Sequence, residues 1–497
     1  MFTPLLDTLL FFTMTTPGIG LLAHRLHRKR LTDVYASLGF SLALLLHALT
    51  SHNVLAPGVL TIATGVVADF PLGVTLVVDD LSGFMATIYL LIGLLAAIYS
   101  LTYMARDTGL PHYYTLLLGI TAGMIGVTSA GDLFTLFIFW EVMCLCSYAL
   151  VAFRTEGWEP IEAGFKYLLM SGAGSLAALA AMALLYGLTG TLNIAQLSQA
   201  LSDTLGGPWS ALALLLFIAG FGLQAGMAPF HTWLPDAHSA APAPVSAILS
   251  GAMVMTGIYG LFRVLTLIFT PFLGVWPQMI RIFATVTMFT GNLLALFQDD
   301  VKRLLAFSTI ANIGYILLGL ATQSVPGLTG SLFQILNHAL VKALLFLCSG
   351  SFNRQAKTRS LRDLAGIGRS MPWTCTVFIL GTVALAGIPP LNIFWSEWTI
   401  LMANVEAEQI LFAIVMAANL VLSAAYCLRI IQILLLHGET PTSRAATEAP
   451  LSLLIPQVVL GALCVIIGVY PDPFRFFAEA AAKATLNIHA YVSAVLG

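Results

Sequence analysis

The chain has 497 residues, of which 59% are hydrophobic and only 9% charged, with a formal net charge of −2. A soluble domain carries about 25% charged residues, so a soluble enzyme is excluded and the chain reads as a polytopic membrane protein whose solvent is the lipid bilayer. The near balance of charge gives no reason to expect a nucleic-acid partner.

About 20 apolar residues are needed for a helix to cross a bilayer. Fourteen such runs follow one another, centred near residues 12, 42, 92, 121, 142, 173, 220, 254, 287, 311, 338, 386, 422 and 461; they are numbered spans 1 to 14. The first has no basic region ahead of it and no small-residue cleavage site, so it is expected to be retained rather than removed as a signal peptide. Arg25, Arg28, Lys29 and Arg30 follow span 1, and the later odd-numbered loops hold Arg106, Arg154, Lys302, Arg303, Arg354, Lys357, Arg359, Arg362, Arg369, Arg429 and Arg444. These are fifteen of the twenty-one Lys and Arg residues, while even loops such as His52 to Val78 and Asn193 to Trp209 hold none. The positive-inside rule then places both termini outside a prokaryotic cytoplasmic membrane. No connection is long enough for a separate soluble core. The basic stretch at residues 351–370 reads as a topology determinant, with docking of a cytoplasmic partner as the other reading. Arg263 and Arg281 lie near span ends and are expected to snorkel, and Lys302 and Arg303 to act first as topology residues. Cys144, Cys146, Cys348, Cys375, Cys427 and Cys464 all sit in apolar runs and are expected to be free, buried thiols.

Two spans are interrupted in matching ways. Span 7 contains Ala225-Gly-Met-Ala-Pro229, followed by His231, Asp236 and His238; span 12 contains Ala386-Gly-Ile-Pro-Pro390. Proline cannot donate to the helix ladder, and carbonyls freed at membrane depth must be buried in protein or line a wet path. Paired broken helices in two halves point to an inverted repeat. The expected fold is therefore an all-α membrane protein of about 14 transmembrane helices, with two inverted five-helix repeats (helices 4–8 and 9–13) and broken helices 7 and 12. Its parts would be helices 1–3 over residues 1–110, the first unit over 111–270, the second over 271–440, and helix 14 with a tail over 441–497.

Ionisable residues inside spans are costly and mark ion paths. Glu141 sits mid-span among aromatic and aliphatic residues, suited to carrying a proton. Glu162 and Lys166 are four apart and able to pair, and Lys166, the deeper of the two, is a candidate partner for Glu141. Gln334, His338 and Lys342 step by four along one face of span 11; histidine titrates near neutrality, so the His338–Lys342 pair is suited to relaying a proton. Glu397 follows the second break by about two turns and is the candidate exit-side carboxylate. His231 and His238 flank the first break, where a relay role and a role bonding freed carbonyls are both open. Gln224, His238 and Gln334 are accessory candidates. No metal cluster, haem or iron–sulfur spacing, phosphate loop or activated nucleophile is present in the sequence, so neither a catalytic residue nor a cofactor is expected in this chain.

The segments PFHTWLPDAHSAAPAPVSAILSG, DVKRLLAFSTIANIGYILLG, NHALVKALLFL and AGIPPLNIFWSEW together resemble the antiporter-like membrane subunits shared by respiratory complex I, Mrp-type Na+/H+ antiporters and membrane-bound energy-converting hydrogenases, over about residues 80–430. The resemblance implies an ion-translocating module for H+, with or without exchange for Na+, in a hetero-oligomeric membrane complex. Partner subunits, a peripheral redox arm among them, would carry iron–sulfur clusters and a metal or nucleotide redox site. By the same resemblance Glu141 takes the place of the family's helix-five glutamate, Lys166 that of a helix-six lysine, His338 and Lys342 the helix-eleven polar pair, and Glu397 the charged residue of helix twelve. Two positions depart: Gln224 and Met255 stand where lysines are usual, which leaves Glu141 without its customary counter-ion. The alternatives to a redox-driven pump are a D-type subunit of an Mrp antiporter and a non-transporting scaffold subunit; a stand-alone carrier of an organic solute is disfavoured by the four motifs.

Overall fold

The computed structural model describes residues 3–26, 30–54, 61–63, 74–204 and 207–496. Arg28 and Lys29 of the first basic loop, and residues 55–60 and 64–73 of the loop after span 2, lie outside the described residues. Among the described residues thirteen helices are long and apolar enough to cross a membrane: Pro4–Arg25, Leu31–Thr50, Asp80–Tyr103, Leu110–Ser129, Leu133–Val151, Trp158–Thr189, Pro208–Ala225, Ala243–Ile268, Trp276–Leu296, Val301–Leu320, Val325–Ala356, Ile410–Leu436 and Leu451–Val469. These are spans 1 to 11, 13 and 14. Span 12 is divided into Pro372–Leu385 and Asn392–Glu406, and span 7 continues beyond its own break as Trp233–Ala240. Thirteen of the fourteen expected spans are therefore present as single long helices, the twelfth is present as two short ones, and both expected breaks are found.

The inverted repeat is visible in the backbone. Where span 5 begins, Leu133 N–H donates to Leu192 O (2.9 Å) and Ile194 N–H to Gly131 O (3.1 Å), tying the chain to the segment that leaves span 6. Where span 10 begins, five spans later and on the opposite face, Val301 N–H donates to Arg359 O (3.0 Å) and Leu361 N–H to Asp299 O (2.7 Å), tying it to the segment that leaves span 11. In both, an aspartate at the junction caps the new helix, Asp132 accepting from Thr135 N–H and Asp300 from Lys302 and Arg303 N–H. Spans 6 and 11 each run for 32 residues. Each broken helix stops at a glycine in the left-handed region, Gly226 (φ 73°) and Gly387 (φ 65°), a conformation costly for any other residue.

Shielding from lipid differs sharply among the helices. Spans 8 and 11 are wholly inside the protein (100% of the apolar window buried) and span 10 nearly so (94%), whereas spans 1 and 13 are only 33% buried. Ionisable side chains at membrane depth are costly unless shielded, and Arg263, Lys302, His338 and Lys342 all lie buried on spans 8, 10 and 11.

The tail is ordered structure. Two helices, Asp472–Leu486 and Ile488–Leu496, return to the face where spans 3 and 11 begin. Phe477 packs on Phe84 with ring centroids 5.0 Å apart. Arg263 does not snorkel as the sequence suggests; it is buried and ion-paired with Asp79, donates to Tyr259 OH (2.7 Å) and Ser82 Oγ (3.1 Å), and lies over the Tyr491 ring at 5.6 Å. One guanidinium thus clamps the start of span 3, the end of span 8 and the last helix. On the basic face, Arg359 pairs with Asp300 (3.1 Å) and Glu159 (3.0 Å), Arg362 and Arg429 with Asp299, and Arg354 donates to Tyr103 O (3.0 Å). The basic stretch at 351–370 is therefore knitted into the chain by carboxylates from both units. The six cysteines are free; five are buried and Cys146 is half-buried.

Burial alone would raise the Asp79 carboxyl, but the charge and hydrogen bonds of Arg263 outweigh it and hold the carboxyl below its ordinary value of 3.8. A depressed carboxylate contributes stability that is complete above about pH 4 and is lost as pH falls through the lowered value. Arg263→Met leaves Asp79 buried without its cation and should destabilise the protein by roughly 3–5 kcal/mol. Thermal unfolding and proteolysis after residue 470 would report it; an unchanged melting temperature and a protected tail would refute the clamp.

Candidate functional site

Around the first break, several groups find local partners. Trp233 Nε1–H donates to Leu223 O (3.0 Å), Ala228 N–H to Thr287 Oγ1 of span 9 (3.1 Å), and the Trp233 and Tyr167 rings stack at 4.0 Å. Gln224, immediately before the break, is buried and well engaged: Ser171 Oγ donates to its Oε1 (2.7 Å), while its Nε2 donates to Tyr167 OH (3.3 Å) and to the Met253 sulfur (2.8 Å). The span 8 residue that meets Gln224 is thus Met253, two residues before the buried Met255. This pocket holds a carboxamide, hydroxyls and sulfur, and no cation.

Lys166 and Glu141 are not brought together. Lys166 Nζ pairs with Glu162 (2.7 Å) and Asp236 (3.4 Å) near the basic face, and Asp236 in turn pairs with Arg303 (2.6 Å). The rotation of span 6 turns Lys166 toward the span 7 continuation, which sequence spacing could not reveal. Glu141 stands half-buried on a face of span 5 it shares with exposed Ile138 and Leu145, and its Oε1 has no hydrogen-bond partner. His231 sits half-buried within the break, its Nδ1 unpartnered.

The second unit is arranged differently. Gln334, His338 and Lys342 are fully buried and lie at the same distances from the start of span 11 as Tyr167, Ser171 and Ser175 from the start of span 6. One polar row thus carries Gln, His and Lys in the second unit but Tyr, Ser and Ser in the first. Lys342 Nζ donates to Leu305 O (3.1 Å) and to Ser308 Oγ, both from span 10, and meets no carboxylate. His238, from beyond the first break, stacks on Phe346 at 5.0 Å with neither ring nitrogen hydrogen-bonded. Lys302, expected to be a topology residue, is instead buried, donating to Ser239 O (3.4 Å) and Ala241 O where that short helix ends. His238 lies within electrostatic reach of Lys302, Lys342 and His338. A seam of four basic side chains therefore runs inward from the basic face, with members from both units.

From this seam a hydrogen-bonded bridge leads to the second break. Asn312 Nδ2 donates to Ser308 O (2.9 Å), Gln334 Nε2 to Asn312 Oδ1 (2.6 Å), Ser396 Oγ to Gln334 Oε1 (2.5 Å), and Asn337 Nδ2 to Ser396 Oγ (3.1 Å) and Asn392 O (3.0 Å). Glu397, the next residue, is buried with its carboxylate against Gly387; a Cβ there would collide with Glu397 Oε2. Tyr315, Tyr426 and Cys427 are its electrostatic neighbours. Sequence reasoning missed Ser308, Asn312, Ser396 and Lys302. The first two had a signal, since two polar residues four apart in an apolar helix share a face. Among the described residues no group of His, Cys, Asp and Glu could hold a metal ion.

Comparison with known proteins bears on this arrangement. A family model described as "NADH:quinone oxidoreductase/Mrp antiporter, TM" matches residues 130–423, and one described as "NADH-Ubiquinone oxidoreductase (complex I), chain 5 N-terminus" matches residues 65–114. The chain belongs to the NADH:quinone oxidoreductase/Mrp antiporter family. Among its relatives, NADH-quinone oxidoreductase subunit N of Desulforudis audaxviator is 34% identical, covering 81% of this chain and 83% of that one. The D-type subunit of the Na(+)/H(+) antiporter of Alkalihalophilus pseudofirmus is 29% identical, covering 86% of each. A chain of the Mrp complex from Dietzia sp. DQ12-45-1b superposes with a TM-score of 0.91 at 27% identity over 100% of both chains. A chain of an archaeal membrane-bound sulfane sulfur reductase does so with a TM-score of 0.91 at 27% identity over 99% of both. The resemblance expected from the four motifs is thus established: this is an antiporter-like membrane subunit, similar to those of complex I, Mrp antiporters and membrane-bound hydrogenase-type complexes.

Gly387→Ala should destabilise the protein by about 1–2 kcal/mol through its left-handed backbone alone and by more through the collision with Glu397. Combining it with Glu397→Ala should remove the second part, so the two changes should be less than additive in thermal unfolding. Strict additivity would mean that the carboxylate does not occupy the break.

Proposed function

We propose that the chain is the ion-translocating subunit of a multi-subunit, redox-driven complex in a prokaryotic cytoplasmic membrane, with both termini outside, and that its second five-helix unit carries a proton path. The observation that carries this reading is Lys342, an amine wholly buried on a helix that lies entirely inside the protein, touching a carbonyl and a hydroxyl but no carboxylate. A permanently charged ammonium in such a place is expensive; a group that takes and releases a proton is suited to it.

In this reading protons enter at Lys302 on the basic face, pass His238 and His338 to Lys342, and leave by Glu397. The carboxamides of Asn312 and Gln334 do not titrate; they hold Ser396 and the start of the post-break helix in register with Lys342. Gln224 removes the cation that would serve Glu141, so the first unit contributes packing and the His238 element more than a second complete path. Glu141, Lys166 and His231 are accessory to transport. Partner membrane subunits would cover the exposed apolar faces, and a peripheral arm bearing iron–sulfur clusters and a metal or nucleotide redox site would drive the cycle. A second reading, the D-type subunit of an Mrp antiporter exchanging Na+ for H+, is favoured by the full-length superposition on the Mrp chain.

The test is pumping by the reconstituted complex. Lys342→Ala and Glu397→Gln should each lower proton translocation by about a hundredfold, the usual worth of a positioned proton-transfer group, whereas Glu141→Gln should leave most of it. Unchanged pumping by assembled Lys342→Ala and Glu397→Gln complexes would reduce the chain to a scaffold. Loss of Na+-driven rather than redox-driven proton movement would select the Mrp reading.

A further inference from the structure

A cavity of about 550 Å³ opens where span 9 begins and span 10 ends, on the face opposite the basic loops, lined by Leu273, Pro277, Gln278, Arg281, Thr322 and Gln323 among others. Its polar rim is mostly committed within the chain: Thr322 Oγ1 bonds Gly319 O (2.8 Å) and Gln323 Nε2 bonds Leu320 O (2.8 Å). Arg281 is not. Its Nη1 donates to Gln278 Oε1 (3.1 Å) and its Nη2 to Ala321 O (3.0 Å), while the Nε is buried with no partner. Most of its five N–H groups are therefore unspent. Arg154, Arg263, Arg303, Arg359 and Arg429 each meet a carboxylate; among the described residues Arg281 meets none. None of the described residues supplies an anion to this guanidinium.

The surface next to the cavity indicates what carries that anion. From Arg281 the exposed face of span 9 descends through Ile282, Val286 and Leu293, an apolar track of about 16 Å at 1.5 Å per residue. A charged socket at the end of a helix, continuous with a lipid-facing apolar stripe, matches an anionic head on an acyl chain. We propose that this cavity is the headgroup site of an anionic phospholipid, its phosphate on Arg281 and one acyl chain along Ile282, Val286 and Leu293. Charge-assisted bonding to phosphate supplies the recognition, and the lipid neutralises a cation that would otherwise sit half-buried without a counter-ion.

The site is tested with the intact complex in liposomes containing photoactivatable phosphatidylglycerol, with crosslinked peptides mapped by mass spectrometry. Labelling is expected on residues 273–282 and 321–323, to persist in excess inorganic phosphate, and to fall about tenfold in Arg281→Met. Leu273→Trp, which fills the mouth but keeps the charge, should lower it as well and decides the matter if Arg281→Met does not assemble. Labelling that ignores both substitutions, displacement of the lipid by inorganic phosphate alone, or a partner subunit crosslinked to Arg281's position in its place would overturn the proposal. Proton pumping does not enter the readout, so the site stands or falls apart from the transport reading.

Discussion

The amine of Lys342, held on a helix wholly screened from lipid and offered a carbonyl and a hydroxyl but no anion, sets the terms for the rest of the architecture. Such a group is tolerable in a bilayer only if protein surrounds it and its charge can change. Spans 8, 10 and 11 supply the screen, span 10 supplies the carbonyl and hydroxyl, and His238, from beyond the first break, stacks on Phe346 one turn further along span 11. Asp236, Asp299 and Asp300 of the basic face are spent on Arg303, Arg359, Arg362 and Arg429. None is left near Lys342.

The two units share a backbone but not a chemistry. Matched junctions at Leu133 and Val301, matched 32-residue helices and matched glycine stops show one plan used twice in opposite directions. On that plan the polar row of span 6 carries Tyr167, Ser171 and Ser175, the first two bonded to Gln224, while the row of span 11 carries Gln334, His338 and Lys342. The hydrogen bonds of Gln224 are nearly saturated, and a saturated carboxamide holds helices together without moving charge. The inverted plan therefore supplies the two broken helices, and side-chain substitution gives the surroundings of each a different chemistry.

Much of this was legible from sequence because the signals were local. Fourteen apolar runs, two Ala-Gly breaks and the four-residue step of Gln334, His338 and Lys342 each depend on residues a few positions apart, and each is found in the structure. Pairings that depend on helix rotation or on distant chain segments were not legible. Lys166 turned to Asp236 rather than Glu141, and Arg263 found Asp79, a residue 184 positions away. Lys302 looked like a surface topology charge because only the fold shows that the helix after the first break ends against its ammonium. Ser308 and Asn312 could have been noticed, but small polar residues in a membrane helix more often satisfy their own backbone, as Asn312 also does here.

The most direct test is to observe the Lys342 amine itself. In the reconstituted complex with 15N-labelled lysine, assigned by comparison with Lys342→Arg, solid-state NMR separates the ammonium from the neutral amine. The Lys342 signal should move between the two forms when the resting complex is energised. A signal that stays ammonium, unchanged with and without driving force, would contradict a transport role for the second unit.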